Sequence, residues 1–290
     1  MNTPHSPPVS HLLITGAQRL EASGIAPDEA RVEARILLSL ALGASHEALR
    51  LRPERPLTDD EAARFDALIA RRARREPLAY ITGERAFYGL RLVVSPAVLI
   101  PRAETEFVVE ATLGHLAGCA APRVADVGTG SGCIAVAVAV NAPNARVWAS
   151  DVSPDALAVA HTNVKQNGVE GQVTLAHGDL LGPLALFAPF EVIVSNPPYI
   201  AAGEVDTLEP EVRDWEPRVA LGTHPDGLHF YRRLAGEAPP LLAPGGLLVV
   251  EVGHQQAEAV AALWRKAGLR NVAVTNDYAG VARVVSGRCP

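Results

Sequence analysis

The stretch Ser195-Asn196-Pro197-Pro198-Tyr199-Ile200 carries the most specific chemistry in this 290-residue chain. Consecutive prolines fix the backbone and remove two donors. The carbonyls of Asn196 and Pro197 are therefore expected to face outward without internal partners. A planar NH2 group has two hydrogens. The Asn196 side-chain oxygen and the Pro197 backbone oxygen are suited to accept one each, while Tyr199 offers a flat face for stacking. An amide or aryl amine nitrogen is a poor nucleophile because its lone pair is delocalised. Two acceptors aimed at its hydrogens favour a geometry in which the lone pair turns toward an electrophile. They also stabilise the positive charge that develops on nitrogen. Asn196, Pro197 and Tyr199 are thus the candidate catalytic residues, and the same three with Pro198 are the candidate substrate-binding residues.

A second constellation begins at Asp126-Val127-Gly128-Thr129-Gly130-Ser131-Gly132. Glycines at a strand-to-helix turn let the backbone bend tightly and approach a ligand, and helix N-terminal amides then face its polar end. Asp151 follows at the end of the next expected strand, where an acid can accept both hydroxyls of a ribose. Two ligands compete for this pattern. A dinucleotide fingerprint would place its third glycine at position 133, which is Cys133. The G-x-G-x-G form with a leading acid instead resembles the S-adenosylmethionine loop of class I methyltransferases. Gly178-Asp179-Leu180 follows a further strand. In that fold an acid there commonly accepts from the adenine amino group, while its neighbour's backbone holds the ring edge. The candidate cofactor-binding residues are Gly128, Thr129, Gly130, Ser131, Gly132, Asp151, Asp179, Leu180 and Asn196. A sulfonium donor brings its own leaving group, so the chemistry needs neither a metal nor a covalent nucleophile, and in-line positioning supplies much of the rest. The Asn-Pro-Pro-Tyr turn resembles those of DNA adenine, RNA guanine-N2 and protein glutamine methyltransferases alike.

The elements that must position these groups are legible as a pattern. Val9, Leu12, Leu13, Ala17 and Leu20 recur at helical spacing, as do Val32, Ile36, Leu37 and Leu40 after Pro27. Thr58 and Glu61 form a capping box ahead of Ala62, Phe65, Leu68 and Ile69. Arg71, Arg72, Arg74 and Arg75 close that helix. They suit its C-terminus, and touching RNA or an acidic partner is the alternative. Ala86 to Val94 reads as a hairpin. From Pro122 strand and helix alternate: strands Val124–Val127, Arg146–Ser150, Val173–Ala176, Glu191–Ser195 and Leu247–Val252, helices Cys133–Val140, Pro154–Gln166, Leu228–Leu242 and Gln255–Ala267, and a closing hairpin of Val272–Thr275 with Val281–Val285. Such alternation predicts a doubly wound, Rossmann-like α/β sheet behind a small N-terminal helical domain. The expected division is 1–77 helical, 78–103 hairpin connection and 104–290 catalytic.

Composition narrows the function. The chain holds 26 Lys and Arg against 32 Asp and Glu, a net charge of −6. A protein that grips duplex DNA through its phosphates usually carries a basic excess. Hydrophobic residues at 48% supply a sizeable core, and the length suggests roughly two domains. Cys119, Cys133 and Cys289 form no CxxC pair and no zinc spacing, so free thiols in a reducing compartment are expected. The first residues carry no signal-peptide pattern and every apolar run is shorter than the ~18 residues a membrane helix needs. A cytoplasmic protein without a membrane segment is the expectation.

Three further stretches make the resemblance specific: Pro77-Leu78-Ala79-Tyr80-Ile81-Thr82-Gly83-Glu84; Phe87-Tyr88-Gly89; and Leu99-Ile100-Pro101-Arg102-Ala103-Glu104-Thr105-Glu106. Leu208-Glu209-Pro210-Glu211-Val212, Glu216-Pro217-Arg218-Val219-Ala220-Leu221, Asp226-Gly227-Leu228 and Leu242-Ala243-Pro244-Gly245-Gly246 extend it. With the two site motifs, they resemble the bacterial release factor glutamine methyltransferases from about Leu12 to Val285. The resemblance implies a class I S-adenosylmethionine-dependent methyltransferase with a closing antiparallel hairpin. It implies methylation of N5 of the glutamine in the GGQ motif of class 1 peptide chain release factors, with a role in translation termination. It implies that Gly128 to Gly132, Asp151 and Asn196 contact the cofactor with Leu180 beside the adenine, that Asn196 to Tyr199 hold the glutamine, and that the helical domain and hairpin help engage the release factor. Ala103 stands where the family usually has Pro, Leu180 where an aromatic is common, and Ala282 where an acid often precedes the arginine. A nucleic acid methyltransferase acting on adenine N6 or guanine N2 is the main alternative. It would require a basic track or a base-recognition insert. A scaffold with a decayed site is the other alternative, and the intact Asn-Pro-Pro-Tyr turn argues against it.

Overall fold

A computed structural model describes residues 8–51, 53–222 and 224–290. They divide into two compact units, Met1–Gly83 with Pro210–Trp215, and Glu84–Glu209 with Glu216–Pro290.

The first unit is helical: α1 (Val9–Ala22), α2 (Pro27–Leu42), α3 (His46–Leu51), α4 (Asp59–Ala73) and α5 (Leu78–Thr82). Pro27 sits at the first position of α2, where its fixed φ suits a helix and its missing N–H costs nothing. The capping box forms as read: the Glu61 amide donates to Thr58 Oγ1 at 3.2 Å and the Thr58 amide to Glu61 Oε2 at 2.9 Å. Leu20, Leu37, Leu38, Phe65 and Ile69 fill the core. The arginine cluster is spent inside this unit. Arg72 is buried and donates to Glu33 Oε2 at 2.8 Å and to Glu211 Oε1 at 2.9 Å. Arg75 reaches Glu211 Oε2 at 2.7 Å, and Arg71 pairs with Glu76. Three of the four cations therefore pair with carboxylates of this unit. The short helices α3 and α5 escape a periodicity reading because each spans less than two turns.

The second unit opens with the hairpin β1 (Glu84–Phe87) and β2 (Leu90–Val93). Tyr88 and Gly89 both have positive φ, 49° and 74°, as a tight primed turn requires. The elements α6 (Glu106–Leu116), β3 (Arg123–Val127), α7 (Cys133–Asn141), β4 (Arg146–Asp151), α8 (Pro154–Gln166), β5 (Val173–His177), β6 (Phe190–Ser195), α9 (His229–Glu237), β7 (Leu242–Glu251), α10 (Ala257–Lys266), β8 (Arg270–Asn276) and β9 (Ala282–Arg288) follow. They build a seven-stranded sheet of order β5-β4-β3-β6-β7-β9-β8. All neighbours run parallel except β9 against β7 and β8. The predicted closing hairpin is thus present. Strand alternation sends Val124, Val192, Val194 and Val249 to the face covered by α6 and α7, and Ala125, Val127, Ile193 and Val250 to the face covered by α9 and α10. The order reverses between β3 and β6, and doubly wound sheets bind ligands in the crevice outside such a switch point.

One expected element is shorter than its apolar pattern. The helix read over Leu228–Leu242 ends at Glu237, because Pro239 and Pro240 cannot continue it; they form a 3-10 turn, and β7 starts already at Leu242. No helix among the described residues is long and apolar enough to cross a membrane.

Candidate active site

The carboxyl ends of β3, β4 and β6 meet at an open cleft of about 950 Å³, counting the solvent space it opens onto. Of the sequence-predicted residues, Gly128, Thr129, Gly130, Ser131, Asp151, Asp179, Leu180, Asn196 and Pro198 line it. Gly132, Pro197 and Tyr199 are not among its lining residues.

The glycine loop leaves β3 with Gly128 at φ 72° and Gly130 at φ 54°, and a Cβ on either would meet nothing within 4 Å. Left-handed backbone and open space together explain glycine there. The amides of Gly128 and Thr129 share the Ser150 carbonyl of the neighbouring strand, both at 2.9 Å. Asp151 then fastens the loop: its Oδ2 accepts from the Gly130 amide at 2.8 Å and its Oδ1 from the Ser153 amide at 2.9 Å. Each carboxylate oxygen has two acceptor sites, so one remains on each for a ligand diol. Asp126 is fully buried beneath the loop. Its Oδ2 accepts from Thr129 Oγ1 at 2.6 Å and the Ala135 amide at 3.1 Å, while Oδ1 has no partner among the described residues. Burial, opposed by those two hydrogen bonds, pushes its pKa to about 7. Thr129 thus spends its hydroxyl inward and offers the cleft chiefly backbone.

At the next strand end, Asp179 lines the cleft and both its oxygens accept from Arg233 Nη1, at 3.0 and 2.8 Å. Leu180 adopts φ 45°, and its carbonyl accepts from Ser150 Oγ at 2.7 Å. The loop is also braced from behind by Asn163 on α8. Its Nδ2 donates to the carbonyls of Ser131 and Val93, at 2.8 and 2.9 Å, and its Oδ1 accepts from the Val93 amide at 2.6 Å. A single buried carboxamide therefore joins the β-hairpin to the glycine loop.

The Asn-Pro-Pro-Tyr turn is held on every side. Among the described residues no backbone amide reaches the carbonyls of Asn196 or Pro197, as the proline pair predicts. The Tyr199 carbonyl accepts from Gln256 Nε2 at 2.8 Å, and the Tyr199 hydroxyl donates to Glu251 Oε1 at 3.3 Å. Asn196 Nδ2 donates to Thr105 Oγ1 at 3.1 Å, and Thr105 Oγ1 donates to Glu251 Oε2 at 2.5 Å. Burial, offset in part by Thr105 and Tyr199, lifts the Glu251 carboxyl to about 7. Burial and the adjoining carboxylate raise the Tyr199 phenol too, so it stays a neutral donor. Arg102 lines the cleft and pairs with buried Glu216 at 2.6 Å. Sequence reasoning did not single out Thr105, Asn163, Arg233, Glu251 or Gln256.

This chain's residues fit an S-adenosylmethionine-like ligand. They combine a glycine turn with open space beside it, an acid at the end of β4 with acceptor capacity to spare, a second acid at the end of β5, and a buried carboxyl oxygen beneath the loop with no partner among the described residues. Residues 11–83 match the profile of the PrmC N-terminal domain, and residues 104–209 that of the methyltransferase small domain. A release factor glutamine methyltransferase from Geobacter sulfurreducens is 46% identical over 261 residues, covering 90% of each chain. One from Cereibacter sphaeroides is 45% identical over 272 residues, covering 94% of this chain and 95% of the relative.

The chain belongs to the release factor glutamine methyltransferase family.

The fold agrees with this family's class. A methyltransferase from Pyrococcus furiosus superposes with a TM-score of 0.51 at 20% identity, over 76% of this chain and 98% of that one. Asp151 and Asn196 line the cleft, Asp126 is buried, and the fold adds Thr105, Glu251 and Gln256 as hydrogen-bond partners around the turn.

Proposed function

We infer that this chain transfers a methyl group from S-adenosylmethionine to N5 of the glutamine in the GGQ motif of class 1 peptide chain release factors, in the cytoplasm. The observation that carries the reading is the Asn196 carboxamide. Its nitrogen is committed to Thr105, so its oxygen is left to accept from an incoming NH2 group. Pro197 supplies the second acceptor and Tyr199 the stacking face. The shared name of relatives that are 41–46% identical over nearly the whole chain supports glutamine as the amide. The net charge of −6 and the internally paired arginines weigh against a nucleic acid substrate.

When bound, the sulfonium donor would supply an electrophilic methyl group and its own leaving group. Gly128 to Gly132 would hold its polar end, Asp151 would accept from its ribose, and Asp179 with Leu180 would border its base. Asn196 and Pro197 are placed to accept one amide hydrogen each, which would stabilise the positive charge that develops on nitrogen. Pro198 and Tyr199 hold the amide plane in line, which accounts for much of the remaining barrier. The helical unit and the hairpin are proposed to contribute release-factor contacts.

The test incubates the purified chain with tritiated S-adenosylmethionine and a class 1 release factor, the same factor with its GGQ glutamine replaced by alanine, and DNA and RNA oligonucleotides. Label in the first sample alone is the expected result. Label that survives the glutamine substitution, or that enters nucleic acid, contradicts the reading.

A further inference from the structure

A carboxamide can present either end to a substrate, since rotating it by half a turn exchanges a carbonyl acceptor for an NH2 donor of the same shape. For an amide-activating site only one orientation works, because the substrate nitrogen brings hydrogens and needs acceptors. Asn196 has no intrinsic preference between the two. The choice must come from what faces its other end.

That partner is Thr105. Its hydroxyl has one hydrogen, and the hydrogen is committed to Glu251 Oε2 at 2.5 Å. The Thr105 oxygen is consequently left as a pure acceptor toward Asn196, and only the NH2 end of the carboxamide satisfies it, at 3.1 Å. The other oxygen of the same carboxyl, Glu251 Oε1, accepts from the Tyr199 hydroxyl at 3.3 Å. Thr105 and Glu251 are each only 1% exposed, so water does not compete for these bonds. Glu251 is itself placed by the end of β7, where its backbone carbonyl accepts from the buried Tyr231 hydroxyl at 2.9 Å. In its ionised form the Glu251 carboxylate therefore sets the polarity of a chain that runs Glu251, Thr105, Asn196, and anchors the Tyr199 hydroxyl with its second oxygen.

We propose that Glu251 and Thr105 are positioning residues that fix the direction of the Asn196 carboxamide, so that its oxygen faces the substrate nitrogen and the site selects an amide NH2 over a carboxylate. This rests on the proposed amide-methylating function for its consequence, but the orientation itself is a property of the chain. Removing the Thr105 hydroxyl frees Asn196 to present either end. Replacing Glu251 by glutamine lets the new NH2 donate to Thr105; the threonine hydrogen then turns toward Asn196 and draws the carboxamide oxygen away from the substrate. In that state the site presents a donor, which suits the carboxylate of glutamate.

The experiment compares wild type, Thr105→Val, Thr105→Ser and Glu251→Gln. Each is measured for kcat and KM with the release factor, for S-adenosylmethionine affinity by calorimetry, and for inhibition by a release factor whose GGQ glutamine is replaced by glutamate. Thr105→Val is expected to lower kcat by about 10²-fold, the scale of losing one aligned transition-state contact, with cofactor affinity little changed. Thr105→Ser keeps the hydroxyl and is expected to restore most of kcat. Glu251→Gln is expected to bind the glutamate factor more tightly than wild type does. A separate readout does not depend on turnover: the ¹⁵N side-chain signal of Asn196, identified by its loss in Asn196→Asp, is expected to be protected from exchange in wild type and Thr105→Ser and unprotected in Thr105→Val. An inactive wild type with a protected Asn196 signal would refute the methylation reading and leave the orientation supported. An unprotected signal in wild type, full kcat in Thr105→Val, or a serine variant as impaired as the valine variant would overturn the proposal.

Discussion

Gly222 offers a quantitative test of how tightly the Asn-Pro-Pro-Tyr turn is held. The Ile200 amide donates to the Leu221 carbonyl at 3.1 Å, so the segment after Tyr199 lies directly on the segment that ends at Gly222. A Cβ added at Gly222 would fall 1.8 Å from the Ile200 carbonyl oxygen and 2.8 Å from its carbon, where ordinary contact begins at 3.4 Å. The obstacle is backbone, so no side chain can rotate out of the way. In Gly222→Ala the two segments must separate by more than an ångström, and Ile200 is bonded to Tyr199. Misplacing reacting groups by ~1 Å costs on the order of 10²-fold in rate, and overpacking of this kind costs about 1–3 kcal/mol of stability. The variant is therefore expected to lose about 10²-fold in kcat, keep S-adenosylmethionine affinity, and melt several degrees lower. Gly236→Ala is the control. It lies in α9, a Cβ there meets nothing within 4 Å, and it is expected to leave kcat unchanged and to raise stability by about 0.5–1 kcal/mol. Turnover by methyl transfer, calorimetric affinity and thermal melting of both variants settle the matter. Wild-type kcat and melting temperature in Gly222→Ala would refute the reasoning.

Three more outcomes follow from the site and the helical unit. Asp151→Asn is expected to weaken S-adenosylmethionine binding by about 10–100-fold, because bonds to a charged acceptor contribute about 1.5–3 kcal/mol and the single asparagine oxygen can no longer anchor both the Gly130 and Ser153 amides; calorimetric titration reads this. Asp126 has its folded-state pKa raised from 3.8 to about 7. The folded chain therefore holds a proton that the unfolded chain has released, and stability from this group declines as pH rises from about 4 to about 7. Asp126→Asn removes that decline, so the variant's melting temperature is expected to fall less than wild type's between pH 5 and pH 8. Arg72→Met leaves buried Glu33 without its partner and is expected to cost about 3–5 kcal/mol in denaturant unfolding, with much of the loss recovered in Arg72→Met combined with Glu33→Leu.

The legible parts of this molecule were those whose determinants are close together in sequence. The proline pair, the glycine spacing and the capping box are local rules, and the alternation of strand and helix is a periodicity, so each could be read without knowing what packs where. The supporting groups lie outside that reach. Thr105 is 91 residues from Asn196 and 146 from Glu251, Asn163 is 70 from Val93, Arg233 is 54 from Asp179, and Gln256 is 57 from Tyr199. Only the topology that lays β7 beside β6, and the packing around the cleft, bring these partners together. The arginine cluster shows the same limit in reverse. Its density within five residues suited a helix C-terminus and left contact with RNA or an acidic partner as the alternative, while the carboxylates that pair with Arg72 are 39 and 139 residues away. The signal that was available for Glu251 was its type: an acid at the end of an otherwise apolar strand, where burial is costly unless the group is hydrogen-bonded.

The central claim is that Asn196 and Pro197 activate a glutamine side-chain nitrogen of a release factor. Tandem mass spectrometry of the release factor after reaction with the wild-type chain tests it most directly, with Asn196→Ala run alongside. The expected product is a single added methyl group on the side-chain nitrogen of the GGQ glutamine, formed about 10²–10³-fold more slowly by the variant at nearly unchanged cofactor affinity. A methyl group on any other residue, or a variant as fast as wild type, would contradict it.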